Sequence, residues 1–284
     1  MKEYLETLDE AAFGGATAKP PKFLSPVDPA ARWTRTYKDG AAKYSYAINY
    51  LIDCEHAVIM DVEATTAIRT AEVSSTRTML DRTEAQTGIR PQRLSGDTAY
   101  GSAEMLHWLV DQRGIEPHIP VWDKAARKDG LYDRRAFRYD RSGDRYICPG
   151  GKDLKRYRVA GRRAKAKPPK DGLYKYRSKK SDCDACVLKP RCCPSLPQRR
   201  VQRSIYEDAR NVARDIMTTD AYITSRCERK KVEMLFAHLK RILKLDRLRL
   251  RGPNGAKDEF LLAATAQNLR KLAKLSTKGI IQTA

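Results

Sequence analysis

Apolar residues alternate or run on through Tyr46, Ile48, Tyr50 and Ile52, and again from Ala57 to Val62, with Asp-Cys-Glu-His between the two runs. Period two is the mark of a strand, so the pattern predicts a β-hairpin whose turn is "DCEH". "AEVSSTRTMLDRTEAQTG" predicts a helix ending at Gly88, and "PQRLSGDTAYG" a short strand running into a turn. In "SAEMLHWLVDQRG", Ser102 is a plausible N-cap and Met105, Leu106, Leu109 and Val110 form the apolar stripe. "IEPHIPV" reads as a further short strand. Residues 1–12 predict a short helix stopped by Gly14 and Gly15. "KPPKFLSPVDPAARW" predicts an extended loop, because proline disfavours helix at the residue before it. After residue 205 the period turns helical nearly to the end, and "DEFLLAATAQNLRKLAKL" makes a final amphipathic helix. There is no internal repeat.

The helix within "RCERKKVEMLFAHLKRILKLDRLRLRG" has two faces. Val232, Leu235, Phe236, Leu239, Ile242 and Leu243 recur at the three-four spacing that faces a core. Arg226, Arg229, Glu233, Ala237 and Lys240 form a second stripe beside it. Two readings fit a lone glutamate among these cations. One is a solvated salt-bridge stripe, worth about 0.3–0.5 kcal/mol per exposed pair. The other is a metal-binding carboxylate flanked by phosphate-binding cations. Asp97, at the C-terminal end of the "PQRLSG" strand, has the same duality. It makes either an Asx-type turn or a carboxylate on a rigid strand end that opens toward substrate. Two such carboxylates with Lys and Arg nearby suit phosphoryl transfer assisted by Mg²⁺ or Mn²⁺, hard cations that prefer carboxylate oxygen.

Charge sharpens this picture. The 284 residues carry 56 Lys and Arg against 35 Asp and Glu, a formal charge of +21. Such an excess points to a polyanionic partner. No apolar run approaches the roughly 20 residues of a membrane span, and the opening "MKEYLETLDEAAFGG" has no apolar signal core. The expectation is a cytosolic chain without a membrane partner. Residues 151–180 hold thirteen Lys or Arg and two Asp, which suits either a mobile basic segment or an extended surface on a small subdomain.

Seven cysteines in a reducing compartment favour metal ligation over disulfides. Cys183 and Cys186 form C-x2-C, Cys192 follows, and Cys148 lies in "YICPGG". Four thiolates suit tetrahedral structural Zn²⁺, with Cys193 an alternative to Cys192 and buried free thiols the competing reading. Cys54 and Cys227 read as ordinary. The four histidines show no metal or triad spacing, and no Ser or Cys nucleophile motif with a partner His occurs.

The stripe with Glu233 resembles a motif of DDE transposases of bacterial insertion sequences, in the group related to the Tn5-type enzymes. That motif runs Tyr, two residues, Arg, three residues, Glu, six residues, Lys. Arg229, Glu233 and Lys240 match at this spacing, while Arg226 stands at the tyrosine position. "GDTAYGS" resembles the family's second-aspartate motif, and the resemblance runs from about Lys22 to Leu275. It implies an α/β fold: an RNase H-like core, a mixed sheet with flanking helices, carrying a basic, cysteine-rich insertion. It also implies Asp97 and Glu233 as second and third ligands of Mg²⁺ or Mn²⁺, and Arg226, Arg229 and Lys240 on DNA. The partner it implies is double-stranded DNA at insertion-sequence ends, in the bacterial cytoplasm, with a homodimer on DNA as the candidate assembly.

On that pattern a first strand ending in Asp should precede the hairpin. Only two strands are expected before the helix at Ala71, and Asp28 lies in a proline-flanked loop. The expectation is therefore a truncated frame lacking its first catalytic aspartate. Asp61 is the fallback, and Asp53 sits in the hairpin turn. The expected layout is an N-terminal helix and loop (1–40), the first part of the core (41–147), the zinc-binding insertion (148–205) and a helical part with Glu233 (206–284). Two other readings are a non-catalytic zinc-containing DNA-binding protein and a nuclease of the same fold.

Overall fold

A computed structural model of the chain describes residues 23–35, 41–122, 129–157, 169, 172–243, 245 and 247–277. The helix expected over residues 1–12 lies outside them. In chain order the elements begin with strands β1 (Arg32–Thr34), β2 (Lys43–Asp53) and β3 (Val58–Thr66), helix α1 (Arg69–Thr87) and strand β4 (Arg93–Ser95). Next come helix α2 (Ala103–His107), prolonged by a wider π-type turn over Trp108–Arg113, and strands β5 (Glu116–His118), β6 (Arg138–Asp140), β7 (Arg145–Ile147), β8 (Asp153–Arg156) and β9 (Leu173–Arg177). The chain continues through the short helices α3 (Lys180–Asp184) and α4 (Lys189–Cys192), strand β10 (Arg200–Ser204), and helices α5 (Glu207–Ile216), α6 (Asp220–Arg241) and α7 (Gly252–Thr277). The architecture is mixed α/β, in two compact units: Met1–Ala99 with Thr219–Ala284, and Tyr100–Thr218.

The first unit is built on the hairpin that the alternation predicts. β2 and β3 pair antiparallel from Tyr46 opposite Thr66 to Asp53 opposite Val58. Between them Leu51 opposes Asp61 while Ile52 opposes Ile59, so Met60 is an unpaired bulge. A bulge resets which side chains face which way, and Ile59, Val62 and Ala64 all enter one apolar core with Leu235 and Leu239 of α6 and Ala256 and Phe260 of α7. Asn268 of α7 clamps the strand, accepting from the Ile59 N–H (2.9 Å) and donating to the Ile59 carbonyl (2.8 Å). Tyr50 stacks on Phe236 at 5.4 Å.

The side of the hairpin that meets α1 is polar. Asn49 donates to the Glu63 carbonyl and to the Thr65 hydroxyl, and Arg82 of α1 reaches Asp61 and Glu63. α1 stops at Gly88, whose left-handed φ of 70° lets its N–H bond the Glu84 carbonyl at 2.9 Å.

Two expectations are corrected in this unit. A third strand, β1, precedes the hairpin and pairs with β2, Arg32 opposite Ser45. Proline-flanked loop residues on its N-terminal side masked so short an element. Ile242, expected on the core face, is 64% exposed. α6 ends at Arg241, so helical spacing no longer fixes the direction of the next side chain.

The second unit holds a five-stranded antiparallel sheet in the order β10-β9-β8-β7-β6. Its core gathers Phe137, Tyr146, Leu154, Tyr176 and Val201 with Cys183, Cys192 and Cys193. The basic stretch 151–180 thus contributes two paired strands, β8 and β9; residues 158–168, 170 and 171 lie outside the described residues. Ser102 caps α2 as its position predicts, accepting from the Met105 N–H at 3.2 Å. Buried Glu207 receives Arg134 at 2.7 Å and Arg210 and Arg214 at 2.9 Å. Burial alone would raise its pKa; the three guanidinium groups outweigh burial and hold it below the usual carboxylate value.

Candidate active site

β4 delivers Gly96 and Asp97 at its C-terminal end, and α6 packs beside that strand. Asp97 is exposed, and its Oδ1 accepts the Ala99 N–H at 2.6 Å. The Asx-type turn is therefore real, and it uses one carboxylate oxygen; Oδ2 has no hydrogen-bond partner among the described residues. Glu233 projects from α6 with its side chain 68% exposed.

One residue joins these two positions. Arg229 donates from Nη1 to the Gly96 carbonyl at 2.7 Å, and its Nε lies 4.0 Å from Glu233 Oε1. Its guanidinium therefore touches the peptide unit that leads into Asp97 and flanks Glu233 one turn along. A 4.0 Å exposed contact contributes little to stability; the 2.7 Å bond to a carbonyl is the stronger tie. At 100° per residue, Arg226, Arg229, Glu233 and Lys240 fall within about 60° of one another around α6. Arg226 and Lys240 are exposed, so the stripe presents cations on either side of one carboxylate.

The other aspartates are engaged elsewhere. Asp61 Oδ2 accepts Arg82 Nε at 2.8 Å and its Oδ1 accepts the Val62 N–H at 2.8 Å. Arg82 also donates to Glu63 Oε2 at 2.7 Å and to the Val62 carbonyl at 2.9 Å. Burial would lower the Arg82 pKa; its bonds to Asp61 and Glu63 reverse that and raise it. Asp53 shapes the hairpin turn, accepting the N–H groups of Glu55 and His56. Asp28 accepts the Tyr46 hydroxyl at 2.7 Å and the Gly252 N–H at 2.9 Å. Among the described residues, no group of three or more His, Cys, Asp or Glu is arranged to hold a metal ion.

In the second unit, Cys148, Cys183, Cys186, Cys192 and Cys193 line one small cavity of about 30 Å³. Cys193 is hydrogen-bonded with Cys183 and Cys192, and burial, with those two thiols adding to it, pushes it up to about 12. The Lys152 N–H donates to Cys148 Sγ at 3.3 Å. Gly150 sits between two of the thiols: a Cβ there would lie 3.6 Å from Cys186 Sγ and 3.7 Å from Cys148 Sγ. The spacing of the cysteines signals their convergence. It does not single out Cys193, whose contact depends on the turn that ends α4.

Residues 147–273 match the family model for the transposase DDE domain. The matched segment contains Glu233, Arg226, Arg229, Lys240 and the five clustered cysteines, and it excludes Asp61 and Asp97. No curated protein and no solved structure matches the chain.

If Asp61 serves the Arg82 pair alone, Asp61→Asn should cost about 2 kcal/mol in urea denaturation, because the partner loses a charged bond at a mostly buried position. Mn²⁺ affinity should not change. An unchanged stability with lost Mn²⁺ binding would make Asp61 a ligand instead.

Proposed function

We propose that this chain, whose residues 147–273 match the model for the transposase DDE domain, is a DDE transposase in which Asp97 and Glu233 carry divalent-metal-assisted cleavage and strand transfer on double-stranded DNA. The observation that carries this reading is Arg229, bonded to the Gly96 carbonyl and adjacent to Glu233. It links the peptide unit before exposed Asp97 to exposed Glu233 on α6, two acids from distant parts of the chain. Their oxygens suit one hard cation, Mg²⁺ or Mn²⁺; a third acid does not join them among the described residues. The ion, when bound, supplies activation of the attacking oxygen and neutralises charge on the leaving one. Arg226 and Lys240 hold the DNA backbone in register on either side, since phosphate contacts position without reading sequence.

We propose the following fold and partner with it. The core is RNase H-like: antiparallel strands, then a helix, then the short strand β4 that leads into Asp97, with α6 and α7 against the β1-β2-β3 sheet. The DNA is an insertion-sequence end, and a homodimer on it is the candidate assembly. No helix among the described residues is long and apolar enough to cross a membrane.

Glu233→Gln keeps the shape and loses the charge a hard cation requires. It should abolish Mn²⁺-dependent nicking of supercoiled plasmid while leaving duplex affinity within about twofold and stability within about 0.5 kcal/mol. Nicking that survives the change would remove Glu233 from the site. Duplex binding without any nicking by the unaltered chain would favour the second reading, a zinc-containing DNA-binding protein that does not cut.

Zinc belongs to the proposal in either case, although these cysteines, as placed, form no group of three or more arranged to hold a metal ion. We propose Cys148, Cys183, Cys186 and Cys192 as its ligands, with Cys193 beside them, because all five line one space and thiolate sulfur is a preferred zinc donor. Protein purified without chelator should hold about one zinc per chain, lost on Cys183→Ser together with thermal stability. Zinc-free protein of the same stability would contradict it.

A further inference from the structure

The solvent side of the five-stranded sheet sets like charges directly against one another. Arg200 of β10 stands opposite Arg177 of β9, Arg177 opposite Lys155 of β8, and Lys155 opposite Arg145 of β7. Directly opposed residues share a face, and neighbouring strands lie about 4.8 Å apart. Four cations therefore form a row across four strands. Such pairs are destabilising in themselves. Arg145 is relieved by Asp140 and Asp153, each at 2.8 Å. Lys155, Arg177 and Arg200 are exposed and have no acidic partner among the described residues.

Beside this row lies an open concavity of about 820 Å³ whose cations are Lys152, Lys155, Arg156, Arg177, Lys179 and Lys180, against the acids Asp153 and Asp182. Among the described residues its one aromatic ring, Tyr157, is already covered by Arg177 at 4.7 Å. That contact fixes the guanidinium plane and leaves no free aromatic face for stacking on unpaired bases, which is how single strands are gripped. Among the described residues, no large apolar side chain lines the concavity to act as a membrane wedge.

We infer that this face, from Arg200 across Arg177 and Lys155 to the concavity beside them, docks the sugar–phosphate backbone of double-stranded DNA, in addition to the Asp97–Glu233 site. The inference rests on the DNA reading above and names a second contact surface for it. Phosphates laid along the row replace like-charge repulsion with attraction, and the counterions they release make the contact steeply salt-dependent. Lys and Arg on a rigid sheet position the duplex without reading its bases.

The test is the salt dependence of duplex affinity for the whole chain and for Lys155→Gln/Arg177→Gln/Arg200→Gln. Losing three phosphate contacts should reduce the slope of log affinity against log salt by about 2.7. Lys155→Gln alone should reduce it by about 0.9, and Arg177→Lys/Arg200→Lys should keep it. The triple variant should still fold, because the three side chains are exposed and the repulsion it removes offsets the lost Arg177–Tyr157 contact. An unchanged slope in the triple variant would overturn the docking surface and leave the DNA reading standing. No duplex binding by the unaltered chain at low salt would overturn both. Double-stranded RNA or phosphatidylserine vesicles losing affinity in the triple variant, with duplex DNA unaffected, would overturn the partner.

Discussion

A single arginine side chain sets the geometry on which the catalytic reading depends. Arg229 reaches from the middle of a long helix to the carbonyl of Gly96, one residue before Asp97. A guanidinium bond to a carbonyl is directional and charge-assisted, so it fixes both the rotation of α6 about its axis and its height against β4. Glu233, one turn further on, inherits that placement. The apolar side of the same helix is held by Leu235 and Leu239 in the core of the sheet. The stripe that bears Glu233 is left facing outward.

The two faces of the hairpin divide the labour behind this arrangement. The bulge at Met60 turns Ile59, Val62 and Ala64 toward α6 and α7, and the Asn268 clamp adds a specific register to that apolar contact. The opposite face is polar, with Arg82 satisfying Asp61 and Glu63 together. Removing one member would strand a charge in a mostly buried place, which is why such clusters fix structure even where their net contribution to stability is small. Asp61 is tied into this cluster through both of its carboxylate oxygens.

Much of this was legible in the chain because local rules act alone there. Alternation placed β2 and β3, a left-handed glycine ended α1, and Ser102 capped α2. The stripe of Arg226, Arg229, Glu233 and Lys240 followed from helical spacing. What stayed hidden depends on long-range pairing. β1 has three residues and exists through β2. The role of Arg82 was hidden because α1 has no apolar stripe to say which side meets a sheet. Register across strands made a row of Arg200, Arg177 and Lys155 from residues scattered over 46 positions of a segment read as a basic, cysteine-rich insertion. The exposed Ile242 shows the converse: a period extrapolated one residue past the end of a helix no longer predicts burial.

The most direct test of the central claim is where one bound metal touches the chain. Fe²⁺ substituted for Mg²⁺, with ascorbate and peroxide, generates hydroxyl radicals that cut the backbone beside the ion. The account expects paired cuts next to Asp97 and next to Glu233, both lost together in Asp97→Asn. Cuts at one of these positions without the other, or cuts centred on Asp61, would contradict it.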